Sequence, residues 1–175
     1  MGSRKVAQTA APLCLVAAAL TFAGNQMNWF EYTQEFRGEV ISRFGFTLSE
    51  LPSTGDSAGA LYHLSSLAMT IGPALLLAGG VALLLSARRR SRLGLLVPTT
   101  VSLGSLMSLS GNIVVDLRPG FINGASGVTV SFGPGALIGA CGAVAAILAA
   151  IATYVATTRA SARAADSRLA LDRHS

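Results

Sequence analysis

The chain has 175 residues, 51% of them hydrophobic and only 12% charged, with a formal net charge of +5. A soluble domain is about a quarter charged, and a water-soluble chain this short has too much surface to hide so much apolar material. Composition therefore argues against a soluble fold and for a membrane class.

Four apolar runs follow one another, each near the roughly 20 residues that a spanning helix needs. The first, residues 7–24, comes just after Arg4 and Lys5. It predicts a transmembrane helix. The same basic start, short apolar middle and Thr-Phe-Ala ending also fit a signal peptide cut after Ala23, and the uncleaved span is the favoured reading.

Residues 25–60 form the first outer loop, which is too long for a bare connection. In "NWFEYTQEFRGEVISRFGF", Trp29, Tyr32 and Phe36 fall at helical spacing, and Glu31, Glu35 and Glu39 recur four apart. This predicts a short amphipathic helix on the outer leaflet, ending near Gly38. Trp29, Phe30 and Tyr32 would then sit in an interfacial aromatic belt. "LPSTGDSAG" reads as turn and loop.

The second span is expected at residues 61–86 and the third at 93–115, with kinks at Pro73 and Pro98. Between them lies "ARRRSR", with Arg88, Arg89, Arg90 and Arg92. Together with Arg4, Lys5, Arg159, Arg163, Arg168 and Arg173 these make ten basic residues on one side, against Arg37, Arg43 and Arg118 on the other. By the positive-inside rule both termini and the arginine turn are cytoplasmic. The turn is short and has no aromatic residue to stack on a base, so no nucleic-acid partner is expected.

Ser102, Ser105, Ser108 and Asn112 share about a third of the circumference of span three. They predict a polar face turned toward the bundle or a partner helix, or a hydrophilic path for a substrate. In the second outer loop, 116–132, Val128, Val130 and Phe132 alternate with Thr129 and Ser131, a strand pattern. A small outer sheet is expected only if "EVISRFGFT" also extends. That arrangement would resemble the claudins in outline, without the two outer cysteines that those proteins use. Asp116 and Arg118 bracket the outer end of span three. They read as an interfacial ion pair or, with Arg37 and Arg43, as a contact for a phosphate or sugar.

The fourth span is expected at residues 133–156. Gly135, Gly139 and Ala143 form a small-xxx-small row, with Gly142, Ala146 and Ala150 as a second. Such rows let backbones approach closely, inside the chain or against a partner. Residues 159–175 form a basic cytoplasmic tail able to continue the helix.

Cys14 and Cys141 lie in spans at depths about 10 Å apart, too far for a disulfide, and are expected as free thiols. His63 and His174 do not supply a haem pair. No ionisable group lies at mid-membrane, where proton relays and ion-coupled transporters need one, and no Walker phosphate loop is present. Neither an enzyme, a cofactor nor a metal site is expected.

The run "IGPALLLAGGVALLLSARRRSRLGLL", followed by "VSFGPGALIGACGAVAAIL", resembles small four-pass membrane proteins of unassigned activity from high-GC actinobacteria, over about residues 61–156. The resemblance implies a cytoplasmic-membrane location and brings no catalytic residue. The expected fold is an all-α membrane protein: a four-transmembrane-helix bundle over residues 1–158, with a small extracellular cap made of the short helix and possible β element. The expected role is an accessory or structural subunit of a larger membrane or cell-envelope complex, with membrane lipids and other membrane subunits as partners. The alternative is a lipid or envelope-precursor binder using Trp29, Tyr32, Phe36, Arg37, Arg43, Asp116 and Arg118.

Overall fold

The computed structural model describes residues 2–37, 39–47, 57–89, 96–116 and 128–172. They form α1 (Gly2–Gln26), β1 (Phe30–Phe36), β2 (Glu39–Phe46), α2 (Ser57–Arg89), α3 (Leu96–Asp116), β3 (Val128–Phe132) and α4 (Pro134–Asp172). The protein is mostly helical, with one small sheet.

The helices are rich in Ala and Leu, which lose little freedom on entering a helix. Buried hydroxyls turn back onto their own helix: Thr21 donates to the Ala17 carbonyl at 2.8 Å and Thr153 to that of Ala149 at 2.7 Å. α1 runs through Pro12 and α2 through Pro73. Pro98 is different from the expected mid-helix kink. It lies in the first turn of α3, where its missing N–H costs no helical hydrogen bond.

Close contacts fix how the helices pack. In α2, Gly80 lies against Cys14 and Ala11 of α1, while Thr70 meets Asn25. Gly72 and Gly79 lie against Ser108 and Val101 of α3. Ser105 of α3 donates to the Ala146 carbonyl of α4 at 2.8 Å, and Asn112 lies beside Gly139. Finally Gly24 and Thr21 of α1 meet Gly139 and Gly142 of α4. Every neighbouring pair is therefore antiparallel, and the ring closes α1–α2–α3–α4–α1. The starts of α1 and α3 and the ends of α2 and α4 share one end with the basic segments. The sheet sits at the other.

The core of this ring is small. Ala11, Cys14, Ala17, Leu76, Val101 and Ala146 are buried along its length. Two stretches, Leu64–Leu85 in α2 and Pro134–Arg159 in α4, are long and apolar enough to cross a membrane. Four such stretches were expected. Among the described residues these two are the stretches that meet that measure. The tail does continue the helix, since α4 runs on to Asp172.

The amphipathic helix expected to end near Gly38 is not formed. Those residues make an antiparallel hairpin, β1–β2, and β3 pairs with the other edge of β1, giving the order β2-β1-β3. The strand alternative for "EVISRFGF" and for Val128–Phe132 is the one realised. Phe36 pairs with Glu39, so the connection is Arg37-Gly38. Arg37 has φ 52°, the left-handed conformation that two-residue hairpin loops use because it matches strand twist. A bulge between Gln34 and Glu35 shifts the register.

The helical ring depends on α1 and α4 touching backbone to backbone. A Cβ on Gly24 would stand 2.7 Å from the Gly139 nitrogen, and one on Gly139 would stand 2.8 Å from the Trp29 ring. Gly24→Ala or Gly139→Ala is expected to destabilise the fold by about 1–3 kcal/mol, the usual cost of overpacking. Leu137→Ala, at a side chain 70% exposed, should change stability little. Chemical unfolding curves of the three variants check this.

Candidate functional site

Two residues join the cap to the bundle. The Asn28 carbonyl accepts from Gly135 N–H at 2.8 Å, satisfying one of the unpaired donors at the start of α4. Trp29 N–H donates to the Phe46 carbonyl at 2.9 Å, and its own carbonyl accepts from Gly133 at 2.8 Å. The Trp29 indole N–H donates to the Gly24 carbonyl at 2.8 Å, and its ring lies on Gly139. The end of α1, the end of β2 and the start of α4 thus meet at one tryptophan.

This corrects the expected place of Trp29. It is fully buried within the chain, and so is not part of an interfacial belt and cannot touch lipid or a partner. Phe30 is buried beside it, with Met69 and Ala136. Tyr32 is half-buried, with its ring edge-on to Phe46 at 5.3 Å.

Of the expected anion contacts, Arg37 and Arg43 are among the described side chains. Arg37 stands at the hairpin tip. Arg43 is exposed on β2 opposite Thr33, four residues or about 13 Å further along the sheet at the usual strand rise. The side chains of Phe36 and Asp116, and all of Arg118, lie outside the described residues.

The expected packing residues face inward. Gly135 and Gly139 serve the α1 contact, and Ala143 is buried with them. In α3, Ser105, Ser108 and Asn112 are buried, whereas Ser102 is exposed. At about 100° per residue, Ser102 lies nearly a quarter-turn from the mean direction of the other three. Asn112 donates to the Ser108 carbonyl at 2.7 Å, and Asn25 donates to Thr70 at 3.2 Å. One buried oxygen on each of Asn25, Ser108 and Asn112 has no protein partner. These groups form a neutral polar layer near the cap end. They can accept or donate hydrogen bonds but cannot carry charge.

Outside the ring the large side chains point away from the protein. Leu106 is 62% exposed, Leu64 61% and Ile151 55%, and Val16, Phe22 and Leu77 show similar exposure. Between α1 and α2 this surface dips into an open groove of about 490 Å³, floored by Ala18, Ala19 and Ala74 and walled by Leu15, Phe22 and Leu77. Its lining is almost wholly apolar. Sequence reading missed this groove, because its two walls come from segments about fifty residues apart. Cys14 is a buried free thiol, and Cys141 a free thiol on the outer surface of α4.

Among the described residues no three His, Cys, Asp or Glu side chains gather where a metal could bind. Compared with known proteins, the chain matches no protein-family model and no curated protein.

Trp29 is the side chain whose loss should matter most. Trp29→Ala is expected to cost about 3–5 kcal/mol, as for other buried aromatics. Trp29→Phe should cost about 0.5–1.5 kcal/mol, through loss of the indole hydrogen bond to the Gly24 carbonyl, which keeps Met27 N–H as a donor. Hydrogen exchange gives a local readout: amides of β1 and of the first turn of α4 should lose protection in Trp29→Phe before those of α2.

Proposed function

We propose that the protein is a multi-pass membrane subunit whose four helices all cross the bilayer. One observation carries this reading: the apolar surface is inverted. Gly, Ala and Ser predominate in the interior, around Leu76, Leu83 and Val101, and large apolar side chains such as Val16, Leu77, Leu106 and Ile151 are exposed on the outside of each of the four helices. In water such a coat would be an aggregation hazard. In lipid it is the expected arrangement, because small residues let helices approach and large ones meet the acyl chains. Lengths agree too. α3 has 21 residues, about 31 Å at the helical rise, against a hydrocarbon core of about 30 Å. The basic segments sit at the end away from the sheet, so the positive-inside rule puts the sheet outside and both termini in the cytoplasm. The resemblance to actinobacterial four-pass proteins fits a cytoplasmic-membrane location.

Within that frame we assign the protein an accessory or structural role in a larger membrane or envelope complex. Among the described residues no Asp, Glu, Lys, Arg or His lies within the buried layers, where proton relays and ion-coupled transporters use such groups. The Gly/Ala rows of α4 are used up inside the chain, which leaves the α1–α2 groove and the sheet as the surfaces for neighbours. The protein should stay in the membrane fraction after alkaline carbonate extraction. When purified at native expression in mild detergent, it should bring a partner subunit with it. Recovery as a lone monomer would overturn the accessory role, and release by carbonate would overturn the membrane reading.

The groove favours a second reading, a lipid binder. Its volume falls in the range of small-molecule sites, and its lining suits an acyl chain. If that reading holds, Ala19→Leu with Ala74→Leu should strip bound lipid from the protein, as seen by native mass spectrometry, and leave any partner in place.

A further inference from the structure

We infer that the aromatic face of the sheet rests on the lipid surface at the rim of the bundle, held there by Phe44 and Phe132. This rests on the membrane reading above. Residues directly opposite in antiparallel strands share a face. Phe46, Phe30 and Phe132 therefore form one row across the three strands, and Phe44 and Tyr32 belong to the next. The opposite face carries Gly45, Glu31 and Ser131, then Arg43, Thr33 and Thr129. The sheet has one aromatic side and one polar side.

The helices show which way the aromatic side looks. Phe30, at 1% exposure, packs with Met69 of α2 and Ala136 of α4, and Tyr32 and Phe46 pack against the same cluster. The aromatic side is thus the one turned toward the bundle. Phe44 and Phe132 share that side but remain 56% and 53% exposed. They stand on the two edge strands, each about 4.8 Å from β1, so they flank the covered centre. Phe132 is two residues before Pro134, the first residue of α4. Leu137, 70% exposed, follows in the first turns of α4, so exposed apolar side chains continue from the edge strand into that helix. In a spanning bundle this level is the membrane–water interface, where amphipathic and aromatic side chains collect.

Magnitude decides between lipid and protein as the occupant. A Phe side chain buries about 150–250 Å² when fully covered, so two half-exposed rings offer about 200 Å². A stable protein contact needs roughly 800 Å² on each partner. Lipid demands no matched surface, and interfacial binding scales simply with the apolar area inserted. The polar side, with Glu31, Arg43 and Thr129, then stays in water.

The test places single tryptophans in the full chain, reconstituted in phosphatidylcholine vesicles, with the emission of buried Trp29 subtracted as background. The variants are Phe44→Trp, Phe132→Trp, Thr129→Trp on the polar side, and Leu148→Trp on the outer wall of α4. Each is read with lipids brominated near the headgroup end, lipids brominated near the methyl end, and aqueous iodide. F44W and F132W should lose most of their added emission to the shallow bromolipid and little to iodide, and T129W should do the reverse. If F44W and F132W are quenched by iodide as strongly as T129W, while L148W is quenched by bromolipid, the sheet stands clear of the bilayer and this inference fails alone. If L148W is untouched by either bromolipid, the membrane reading fails and takes this inference with it.

Discussion

At the seam between α1 and α4 the two backbones touch, with Gly24 set against Gly139 and no room for a methyl group on either. Much else follows from that approach. It opens the space beside Gly139 that the Trp29 ring fills, and it leaves the Gly24 carbonyl free to take the indole proton. Once the ring is held, the backbone of residues 28 and 29 is fixed, and with it the hydrogen bonds that locate β2 and the start of α4. The sheet is therefore positioned by a helix–helix contact, and only indirectly by its own strands. A three-stranded sheet of five to eight residues per strand has little independent stability, so it needs such an anchor.

The same economy of size runs through the bundle. Ser105 spans the α3–α4 gap with one hydroxyl, accepted by the Ala146 carbonyl while it also bonds Val101. Gly72 and Gly104 let α2 and α3 come close in the same way. Packing of this kind relies on many short van der Waals contacts and a few interhelical hydrogen bonds. It draws less on burying large apolar side chains: Leu76 and Val101 are inside, but Leu64, Leu106 and Ile151 are among many that face outward. On the membrane reading that is the expected balance, since lipid offers no hydrophobic drive for helices to associate.

How far the sequence reveals this differs from element to element. The helices are legible because apolar runs of sufficient length admit few other structures, and the apolar stretches of α2 and α4 match expectation within a few residues. The hairpin is less so. Trp29, Tyr32 and Phe36 fall on a helical period by coincidence, while the period that matters is two: Phe30 and Tyr32 against Glu31 and Thr33, then Phe44 and Phe46 around Gly45. Arg37-Gly38 between the two runs is the turn chemistry that tips the choice toward strands. The bulge at Gln34 and Glu35 breaks the alternation just where it is needed. The fate of Trp29 could not be read locally at all. An aromatic just past an apolar run usually sits at an interface, and what buries this one is a glycine 110 residues away. For α3, the helical wheel separates Ser102 from Ser105, Ser108 and Asn112 only when it is known which direction is inward.

One feature of α4 reaches beyond the bundle. The helix does not stop at Arg159, where its apolar stretch ends, but continues as a single rod to Asp172. At about 1.5 Å per residue that adds roughly 20 Å. The helix is packed into the bundle as far as Thr153, which is buried. Its last turns then place Arg159, Arg163 and Arg168 at successive levels along one continuous helix. On the membrane reading, that extension carries a graded positive charge outward from the lipid surface, where anionic headgroups attract it most strongly at the root.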